Sequence, residues 1–546
     1  MNAQTNGHVT PTMAAALNAH VPPVTVGEAP PRVPLHDYSL DDRGNGQRFV
    51  AVWGNRVAWT AEAKTMRLYS GAIWETDTGS GMRHLAELVT DMMLDEVAML
   101  RTAAALRLAA LEAAGTDTGP EYDQATSDMA RAVAYGKWTA ASRMDARYKA
   151  MITSAQSCPE ISVRAGLWDA DPRLLSLGNG VVHLGYRGEI TFRPHQWSDR
   201  LTQQASVCYD PAALCPEFDA YLAQVQPDPA LRRVLLALVG ASLVGRNERH
   251  LLPVLIGASR SGKSAFVKIV YGVLANATAP KSGLSATFDL AMMRPAAGGG
   301  PNPALYRIMN RRFIYCSEGS GGITLSGDLV KRFTGGDHQG ARDAYGKAEA
   351  IEEREPAFSP WLAVNEAPQV DRADNALRER IVAVPFTHPV PPAERELGLA
   401  ERLVATEGPG ILNAFLKGYA DLMADAAVLR DLPAACVTTA NRMFGDMDIY
   451  QRWLAECTEK TDDATRWITV AESWAMFNFW ARESNETAGT KRAFGNAMME
   501  AGHGWVDQRH PTLDKNLKYR KGIGWSVDHL AELDDIDAMA TGISNA

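Results

Sequence analysis

Residues 251–268 read LLPVLIGASRSGKSAFVK, and this stretch decides the fold of the chain. Its apolar start, LLPVLIG, predicts a buried strand, and the AFVKIVYGVL that follows residue 264 predicts a helix with one apolar face. Between them GASRSGKS, residues 257–264, fits the pattern G-x-x-x-x-G-K-[ST] at every fixed position. The order strand, glycine-rich loop, helix predicts a phosphate-binding loop and disfavours a chance glycine turn.

The residues of this loop have separate predicted tasks. Glycine at its two fixed positions lets the backbone turn tightly and point its N–H groups at phosphates, next to the positive end of the helix. Lys263 is predicted to reach the β- and γ-phosphates, and Ser264 to hold Mg²⁺ through its hydroxyl. The implied cofactors are therefore ATP and Mg²⁺. The predicted nucleotide-binding residues are Gly257, Ala258, Ser259, Arg260, Ser261, Gly262, Lys263 and Ser264.

Three more apolar runs follow at the spacing of an α/β core. They are RRFIYCSEGS (311–320), WLAVNEAP (361–368) and LRERIVAVPF (377–386). Strands that alternate with helices predict a parallel, doubly wound sheet. Ligands bind at the carboxyl ends of such strands, so polar residues at these ends are candidates for the site.

Two polar side chains end these runs, and two arginines precede the last run. Glu318 is predicted to orient and deprotonate the attacking water, and it forms the predicted metal pair with Ser264. Asn365 is predicted to hold that water or the γ-phosphate. Arg378 and Arg380 are predicted to neutralise transition-state charge at a neighbouring subunit's nucleotide; the alternative is a solvated arginine pair.

Bulk properties exclude several classes of protein. The 546 residues are too many for one core and predict roughly two to four domains, with the composition of a soluble globular protein. The apolar run 234–245 is too short to cross a bilayer, and residues 1–31 lack the pattern of a secretory signal. Six cysteines without a C-x-x-C pair indicate reduced thiols, a cytoplasmic location and no zinc ribbon. The net charge of −9 predicts that any DNA contact is local.

The residues before the core predict a disordered leader at 1–37 and then a small β-unit. The runs 47–60 and 65–77 are strand-like and are broken by Gly-Asn and Ser-Gly turns. Three tryptophans in these runs could stack on bases, but core packing is the commoner fate of such residues. They are Trp53, Trp59 and Trp74.

The region from 80 to 230 continues as helix and then as mixed structure. Residues 80–156 have helical spacing with a break at 115–120, which predicts a structural helical subdomain. An Asn-Gly pair between apolar runs predicts a β-hairpin within 174–195. Asp169 and Asp171 could suggest two-metal chemistry, but a turn is the favoured interpretation.

Two basic segments are candidates for DNA contact. Residues 327–351 form a glycine-flexed basic loop that could touch a phosphate backbone or be solvated; its cations are Lys331, Arg332, Arg342 and Lys347. From 487 to 525 there are seven Lys and Arg residues against three acids, which predicts either a DNA-binding face or a solvated one. The predicted DNA contacts in this second segment are Lys518, Arg520 and Lys521.

The motifs together resemble one known family. KRFTGGDHQGARDAY (331–345), FSPWLAVNEAP (358–368) and RIVAVPF (380–386) resemble the core of superfamily-3 helicases, specifically the phage, plasmid and poxvirus primase-helicase group. LLSLGNGVVHL, CYDPAALCPEFDAYLAQV and EGPGILNAFLKG resemble the segments that flank this core in that group. The helices and basic hairpin near the C-terminus resemble a winged-helix domain. The resemblance is strong over about 160–420 and weak over about 38–160.

This resemblance implies an AAA+-like core that assembles as a hexameric ring around one DNA strand and moves 3′ to 5′. By position Lys263 and Ser264 match the family's Walker A pair, Glu318 its Walker B acid and Asn365 its sensor. The matching arginine finger is Arg380, with Arg378 as the second candidate, and the pore-loop candidate is Lys347. One departure is that Cys316-Ser317-Glu318 supplies one acid where many members have two. Another is that no long primase domain precedes the first predicted strand.

The predicted fold class is α/β: an AAA+-like P-loop ATPase core, preceded by an α+β domain and followed by a helical, winged-helix-like domain. The predicted divisions are 1–37, 38–230, 231–426, 427–526 and an acidic tail at 527–546.

The predicted function is an ATP-dependent, ring-forming replicative DNA helicase of a phage or mobile element. It would act on single-stranded or forked DNA as a homo-hexamer in the host cytoplasm, without a membrane, and with a replication polymerase or primase as a further partner. Two alternatives stay open. One is a primase-helicase with an unrecognised priming site, and the other is an ATP-bound initiator or loader that does not unwind DNA.

Overall fold

The computed structural model describes residues 33–289, 303–318, 324–325, 327–335, 339–341, 352–370, 375–445, 449–484, 488–509 and 516–526. The predicted leader up to residue 32, the acidic tail and two predicted DNA contacts, Arg342 and Lys347, lie outside these stretches. The end of the leader departs from the predicted disorder, because Leu35–Asp37 form a 3-10 helix and Leu35 is buried in the N-terminal core.

Helices and strands occur throughout the described residues and are joined by loops. The helices are α1 (Asp42–Trp53), α2 (Gly81–Ala113), α3 (Pro120–Ser142), α4 (Asp145–Ala155), α5 (Pro216–Val225), α6 (Pro229–Ser242), α7 (Lys263–Leu274), α8 (Pro303–Tyr306), α9 (Gly327–Thr334), α10 (Asn375–Arg378), α11 (Leu399–Ala424), α12 (Ala427–Arg430), α13 (Ala434–Gly445), α14 (Ile449–Cys457), α15 (Val470–Glu483) and α16 (Lys491–Glu500). The strands are β1 (Val57–Thr60), β2 (Thr65–Tyr69), β3 (Trp74–Thr76), β4 (Leu174–Leu177), β5 (Gly180–Leu184), β6 (Ile190–Arg193), β7 (Leu252–Ile256), β8 (Ser285–Thr287), β9 (Phe313–Glu318), β10 (Thr324–Leu325), β11 (Gln339–Ala341), β12 (Glu352–Arg354), β13 (Ser359–Val364), β14 (Gln369–Val370), β15 (Ile381–Pro385), β16 (Thr458–Lys460), β17 (Trp505–Arg509), β18 (Asn516–Arg520) and β19 (Ile523–Trp525).

The centre of the chain is a five-stranded sheet in the order β15-β7-β13-β9-β8, and every neighbouring pair is parallel. The parallel sheet predicted from the four apolar runs is thus confirmed, and β8 is an edge strand that the sequence did not reveal. Every residue of β13 is buried, as expected for a central strand covered on both faces. Apolar side chains fill a core on each face of the sheet.

The register of the sheet brings three strand ends to one edge. Val364, the last residue of β13, pairs with Ile256 at the end of β7 and with Glu318 at the end of β9. The glycine-rich loop follows β7, and Asn365 follows β13. Parallel pairing therefore collects the predicted site residues at the carboxyl edge of the sheet.

The N-terminal region departs from the prediction at its start. Residues 47–53 were expected to form a strand, but they belong to helix α1, so that prediction is wrong. The Asp41 carboxylate accepts a 2.7 Å hydrogen bond from the backbone N–H of Gly44 and caps the helix. Buried Phe49, Val52 and Trp53 have helical i, i+3, i+4 spacing, which a short apolar run does not distinguish from a strand.

The rest of the N-terminal region agrees with the predictions from the sequence. Strands β1, β2 and β3 form an antiparallel sheet, in which Trp74 is buried and Trp59 is half-buried in core contacts. Helices α2, α3 and α4 form the predicted helical subdomain. The β4–β5 hairpin turns on Gly178 and Asn179, one residue earlier than the expected Asn-Gly pair. Asp171 accepts a 2.9 Å hydrogen bond from the N–H of Arg173 two residues later, as a turn residue does, whereas Asp169 accepts a 2.7 Å bond from the distant Thr202 N–H.

The sheet is also covered by a helix beyond the predicted end of the core. Helix α13 lies after residue 426, yet its Met443 and Phe444 are buried in the same core as Leu252 and Leu362. Its Cys436 is buried in the core on the other side of the sheet. A fragment that preserves the sheet's packing must therefore extend to the end of α13.

Beyond α13 a separate aromatic core forms. Trp453, Phe477 and Phe494 are buried together, with the rings of Phe477 and Phe494 stacked at 4.7 Å between centroids. Strands β17 and β18 form an antiparallel hairpin beside these helices. The predicted order of helices and then a β-hairpin is present. Within the described residues, no helix combines the length and the apolar character needed to cross a membrane.

Candidate nucleotide-binding site

Two positions in the loop between β7 and α7 require glycine. A Cβ atom at Gly257 would lie 2.1 Å from the carbonyl oxygen of Phe386. Gly262 has a φ of +90°, and a Cβ atom there would lie 2.5 Å from a methyl group of Val225. The loop therefore passes closer to its neighbours than any other residue type would allow.

Lys263, the first residue of α7, crosses the loop that precedes it. Its Nζ atom donates hydrogen bonds to the carbonyl oxygens of Gly257 at 2.6 Å and Ala258 at 2.8 Å, and to Ser261 Oγ at 3.1 Å. The side chain is 4% exposed, and burial lowers the pKa of its ammonium group, since desolvation disfavours the charged form. A charged group held in this way is aimed at the space that the loop encloses.

Side chains from three neighbouring strand ends meet beside Lys263. Asn365 Oδ1 lies 3.5 Å from Lys263 Nζ, and Ser317 Oγ lies 3.3 Å from Ser264 Oγ. These residues line one cleft of about 590 Å³, within the range of ligand pockets. The structure therefore brings the predicted Lys263, Ser264 and Asn365 together. It adds Ser317, to which the sequence had assigned no task.

The walls of this cleft come from two segments that the sequence did not assign to it. Tyr221 on α5 is buried, its hydroxyl donates a 2.8 Å hydrogen bond to the Gly262 carbonyl oxygen, and burial raises its pKa. Residues 390–401 form the opposite wall, where the Val390 N–H donates a 3.0 Å bond to the Arg260 carbonyl oxygen. Gln224 on α5 bonds the Glu394 carboxylate across the cleft. Helix α5 lies in a segment that resembles the family, but neither segment contains a motif that assigns it to the cleft.

The acid predicted as the catalytic base lies at the correct edge of the sheet. Glu318 is the last residue of β9, and its backbone pairs with Val364, one residue before Asn365. Of the predicted loop set, residues 259–264 line the cleft, whereas Gly257 and Ala258 do not. The backbone order at this edge is thus the one the sequence predicted.

The two predicted arginines lie away from the residues that line this cleft. Arg380 Nη1 donates a 2.9 Å hydrogen bond to Thr334 Oγ1 at the end of α9. The guanidinium of Arg378 lies 4.5 Å from the ring centroid of Phe444 on α13. Neither side chain contacts the Lys263 loop of its own chain in the described residues. Any contribution to catalysis would have to reach another subunit's cleft, which stays a prediction.

The predicted DNA contacts divide into three groups. Lys331 and Arg332 are partly exposed on α9. Lys518 and Lys521 are exposed on the β17–β18 hairpin, where Lys518 Nζ lies 3.6 Å from the ring centroid of Trp505. The prediction that Arg520 contacts DNA is wrong. Arg520 is 2% exposed, its guanidinium lies over Phe494, and burial lowers its pKa, so a side chain in this position cannot reach DNA.

The hydroxyl pair of Ser264 and Ser317 fits a magnesium site of the phosphate-dependent kind. Mg²⁺ keeps several waters and takes only one or two protein ligands when nucleotide phosphates bind it. Among the described residues, no group of three or more His, Cys, Asp or Glu side chains could hold a metal without a nucleotide. Two neutral hydroxyls suit a metal whose other ligands are phosphate oxygens and water.

Comparison with known proteins agrees with the family resemblance. Residues 46–227 match the family model described as D5 N terminal like. Putative helicase 022R of Frog virus 3 is 26% identical over 286 residues, which are 50% of this chain and 28% of that protein. Putative helicase L207/L206 of Acanthamoeba polyphaga mimivirus is 26% identical over 168 residues, which are 31% of this chain and 17% of that protein.

The chain thus spans less than a third of the length of either viral relative, at 28% and 17%. Among solved structures, the A form apo structure of the NrS-1 C terminal region covers 85% of this chain and 96% of that chain. The TM-score is 0.44 and the identity 10%, and no fold is assigned from a similarity at that level. The matched N-terminal segment and the viral relatives support the resemblance of this chain to the phage, plasmid and poxvirus primase-helicase family.

Proposed function

We propose that the chain is an ATP-driven DNA helicase whose nucleotide site is the cleft at the carboxyl edge of the parallel sheet. The observation that carries this proposal is the convergence of Lys263, Ser264 and Asn365 on one cleft from elements far apart in sequence. A lysine at the start of a helix, an adjacent hydroxyl and a polar strand end are the groups that phosphoryl transfer requires.

In the proposed reaction each residue acts on a defined atom. The loop N–H groups and the start of α7 bind the phosphate oxygens, and the Lys263 ammonium neutralises charge on the β- and γ-phosphates. Asn365 orients the attacking water, and the Glu318 carboxylate takes its proton. Ser264 would hold Mg²⁺, which when bound offsets the charge of the phosphate oxygens. Arg380 would act on a neighbouring subunit's nucleotide.

The DNA part of the proposal is supported by the family and by exposed cations. Lys331 and Arg332 on α9, and Lys518 and Lys521 on the β17–β18 hairpin, are proposed contacts to phosphate groups. A homo-hexameric ring, 3′ to 5′ movement, a location in the host cytoplasm, and a polymerase or primase partner are proposed from the resemblance. The division into an N-terminal α+β region, an ATPase core and a winged-helix-like domain is proposed on the same basis.

The experiment that tests this function measures ATP turnover with and without single-stranded DNA, together with displacement of a labelled strand from a fork. A helicase gives DNA-stimulated turnover and strand displacement. Turnover or ATP-dependent DNA binding without displacement would favour the initiator or loader. Synthesis of labelled primers from nucleotides would favour the primase-helicase. Absence of nucleotide binding would refute all three.

The first prediction concerns the proposed base. Glu318→Gln is expected to bind ATP with little change and to hydrolyse it at least about a hundredfold more slowly, because general-base catalysis contributes roughly 10²–10⁴. The measurements are single-turnover hydrolysis and binding of a fluorescent ATP analogue. Glu366→Gln is the matched control, since Glu366 is exposed at the same edge of the sheet. Wild-type turnover in Glu318→Gln would mean that another group activates the water.

The second prediction concerns the β17–β18 hairpin. Lys518→Gln combined with Lys521→Gln is expected to weaken single-stranded DNA binding and to flatten its salt dependence. Two lost phosphate contacts reduce the slope of log affinity against log salt by about 1.4, at roughly 0.7 per contact. Fluorescence anisotropy across a salt series measures this slope, while basal ATP turnover should stay unchanged.

The control for this surface is Lys460→Gln, because Lys460 is exposed on β16 in the same region. An equal change in slope for the control would mean that general charge, and not the hairpin, determines the affinity.

A truncation that removes the C-terminal region as a whole should end after Gly445. A cut at residue 432 would remove α13 and expose the core that buries Met443 and Phe444.

A further inference from the structure

The alternation of side chains along β9 defines the face of the sheet on which Ser317 lies. The side chains of a strand alternate between the two faces of a sheet. Phe313 and Tyr315 belong to the core on the α7 side, and Ile314 and Cys316 belong to the core on the opposite side. Ser317 continues the first set, so it faces the start of α7 at the point where the apolar core ends and the cleft begins.

At this point the neighbour of Ser317 is the predicted metal ligand. The two hydroxyl oxygens, Ser317 Oγ and Ser264 Oγ, are 3.3 Å apart, and Ser317 is exposed to the cleft. Ser264 is fixed because it belongs to the first turn of α7, and Ser317 is fixed because its part of β9 pairs with Ala363 of the central strand β13. The pair is therefore held by rigid elements and not by a loop.

We propose that Ser317 is a positioning residue for Mg²⁺, and that its hydroxyl accepts a hydrogen bond from a water of the metal's coordination shell beside Ser264. The inference rests on the proposed ATP site. Outer-shell groups of this kind orient metal ligands without touching the metal. Because a hydroxyl is neutral, Ser317 itself adds no charge to the site.

The neutral hydroxyl of Ser317 and a carboxylate at the same position predict opposite effects on nucleotide binding without metal. With a hydroxyl at position 317, nucleotide binding without metal suffers no repulsion from this side chain. A carboxylate at the same position would attract Mg²⁺ but repel bare phosphates. The chain is thus expected to bind ATP detectably without metal, and metal binding is expected to depend on nucleotide.

The test uses the full chain and a fluorescent, non-hydrolysable ATP analogue, whose binding is followed by anisotropy in EDTA and across a Mg²⁺ titration. Ser317→Ala is expected to raise the Mg²⁺ concentration at half-saturation roughly two- to tenfold, the effect of one lost hydrogen bond, with binding in EDTA unchanged. Ser317→Thr keeps the hydroxyl and should behave as wild type. Ser317→Asp should lower the Mg²⁺ requirement and weaken binding in EDTA.

The matched control is Thr287→Asp, because Thr287 is exposed at the end of the adjacent strand β8 but does not line the cleft. It should change neither binding in EDTA nor the Mg²⁺ requirement. Equal Mg²⁺ dependence of wild type, Ser317→Ala and Ser317→Asp would overturn the role of Ser317 and leave the nucleotide site standing. Failure of the wild-type chain to bind the analogue under any condition would overturn the proposed function itself.

Discussion

Lys263→Ala is expected to lower ATP turnover by at least about a hundredfold, because a donor aimed at developing charge in a preorganised site contributes roughly 10²–10³. The ammonium also joins the two sides of its loop through the carbonyl oxygens of Gly257 and Ala258. The variant should therefore lose both the charge on the γ-phosphate and the closed shape of the loop. Steady-state phosphate release and analogue binding measure the two losses separately.

The control for this prediction is Lys417→Ala, an exposed lysine on helix α11 far along the chain. Both variants should keep the far-UV circular dichroism of the wild type, since β7 and α7 are held by the sheet and its cores. Lys263→Arg keeps a positive charge but not the compact ammonium, so it should also be severely impaired. Normal turnover in Lys263→Ala would refute the assignment of this loop to the triphosphate.

Arg380→Ala is expected to bind ATP nearly normally and to hydrolyse it much more slowly. An arginine finger raises the rate by a factor of roughly 10³–10⁵ in other phosphoryl-transfer systems. The side chain does not line the cleft of its own chain. If it completes a neighbour's site, then mixing Arg380→Ala with Lys263→Ala should restore part of the activity. Some junctions would pair an intact lysine loop with an intact arginine, which neither parent has.

Two controls separate catalysis from structure in this experiment. Thr334→Val keeps a similar volume but removes the acceptor of the 2.9 Å bond from Arg380, together with the bond that Thr334 Oγ1 donates to the Val330 carbonyl oxygen, so it reports the structural effect of losing this contact while the arginine stays. Arg378→Ala removes the arginine that lies over Phe444. Rescue with Arg378→Ala and not with Arg380→Ala would move the finger by two residues. No rescue at any mixing ratio would refute the role of Arg380 at a neighbouring subunit's nucleotide.

The central sheet could be predicted because its signals are local and strong. Each buried strand is a continuous apolar run, and the loop motif fixes which edge of the sheet holds the site. The strand that was missed and the helix that was predicted as a strand have a common physical cause, because tertiary contacts and not a local pattern decide both elements. β8 is three residues long, which is too short for a pattern. The residues 47–53 are apolar in a way that suits a strand or a helix.

The site shows the same division between pattern and contact. That Lys263, Ser264 and Asn365 lie together could be predicted, because they occupy fixed positions of motifs at strand ends. Ser317 could have been found from strand alternation alone, by noting that it shares a face with Phe313 and Tyr315. Arg520 could not be excluded from its sequence, because the burial of its guanidinium against Phe494 arises from the packing of a distant helix.

The contact between Tyr221 and the loop bears on how such proteins could be recombined. Helix α5 lies inside the residues matched by the D5 N terminal like model, yet its Tyr221 bonds the Gly262 carbonyl oxygen and its Val225 occupies the space next to Gly262. A chimera joined at residue 228 would place a foreign helix against the glycine-rich loop between β7 and α7. The N-terminal segment is therefore no interchangeable module, and its exchange between relatives would require the partner loop to change with it.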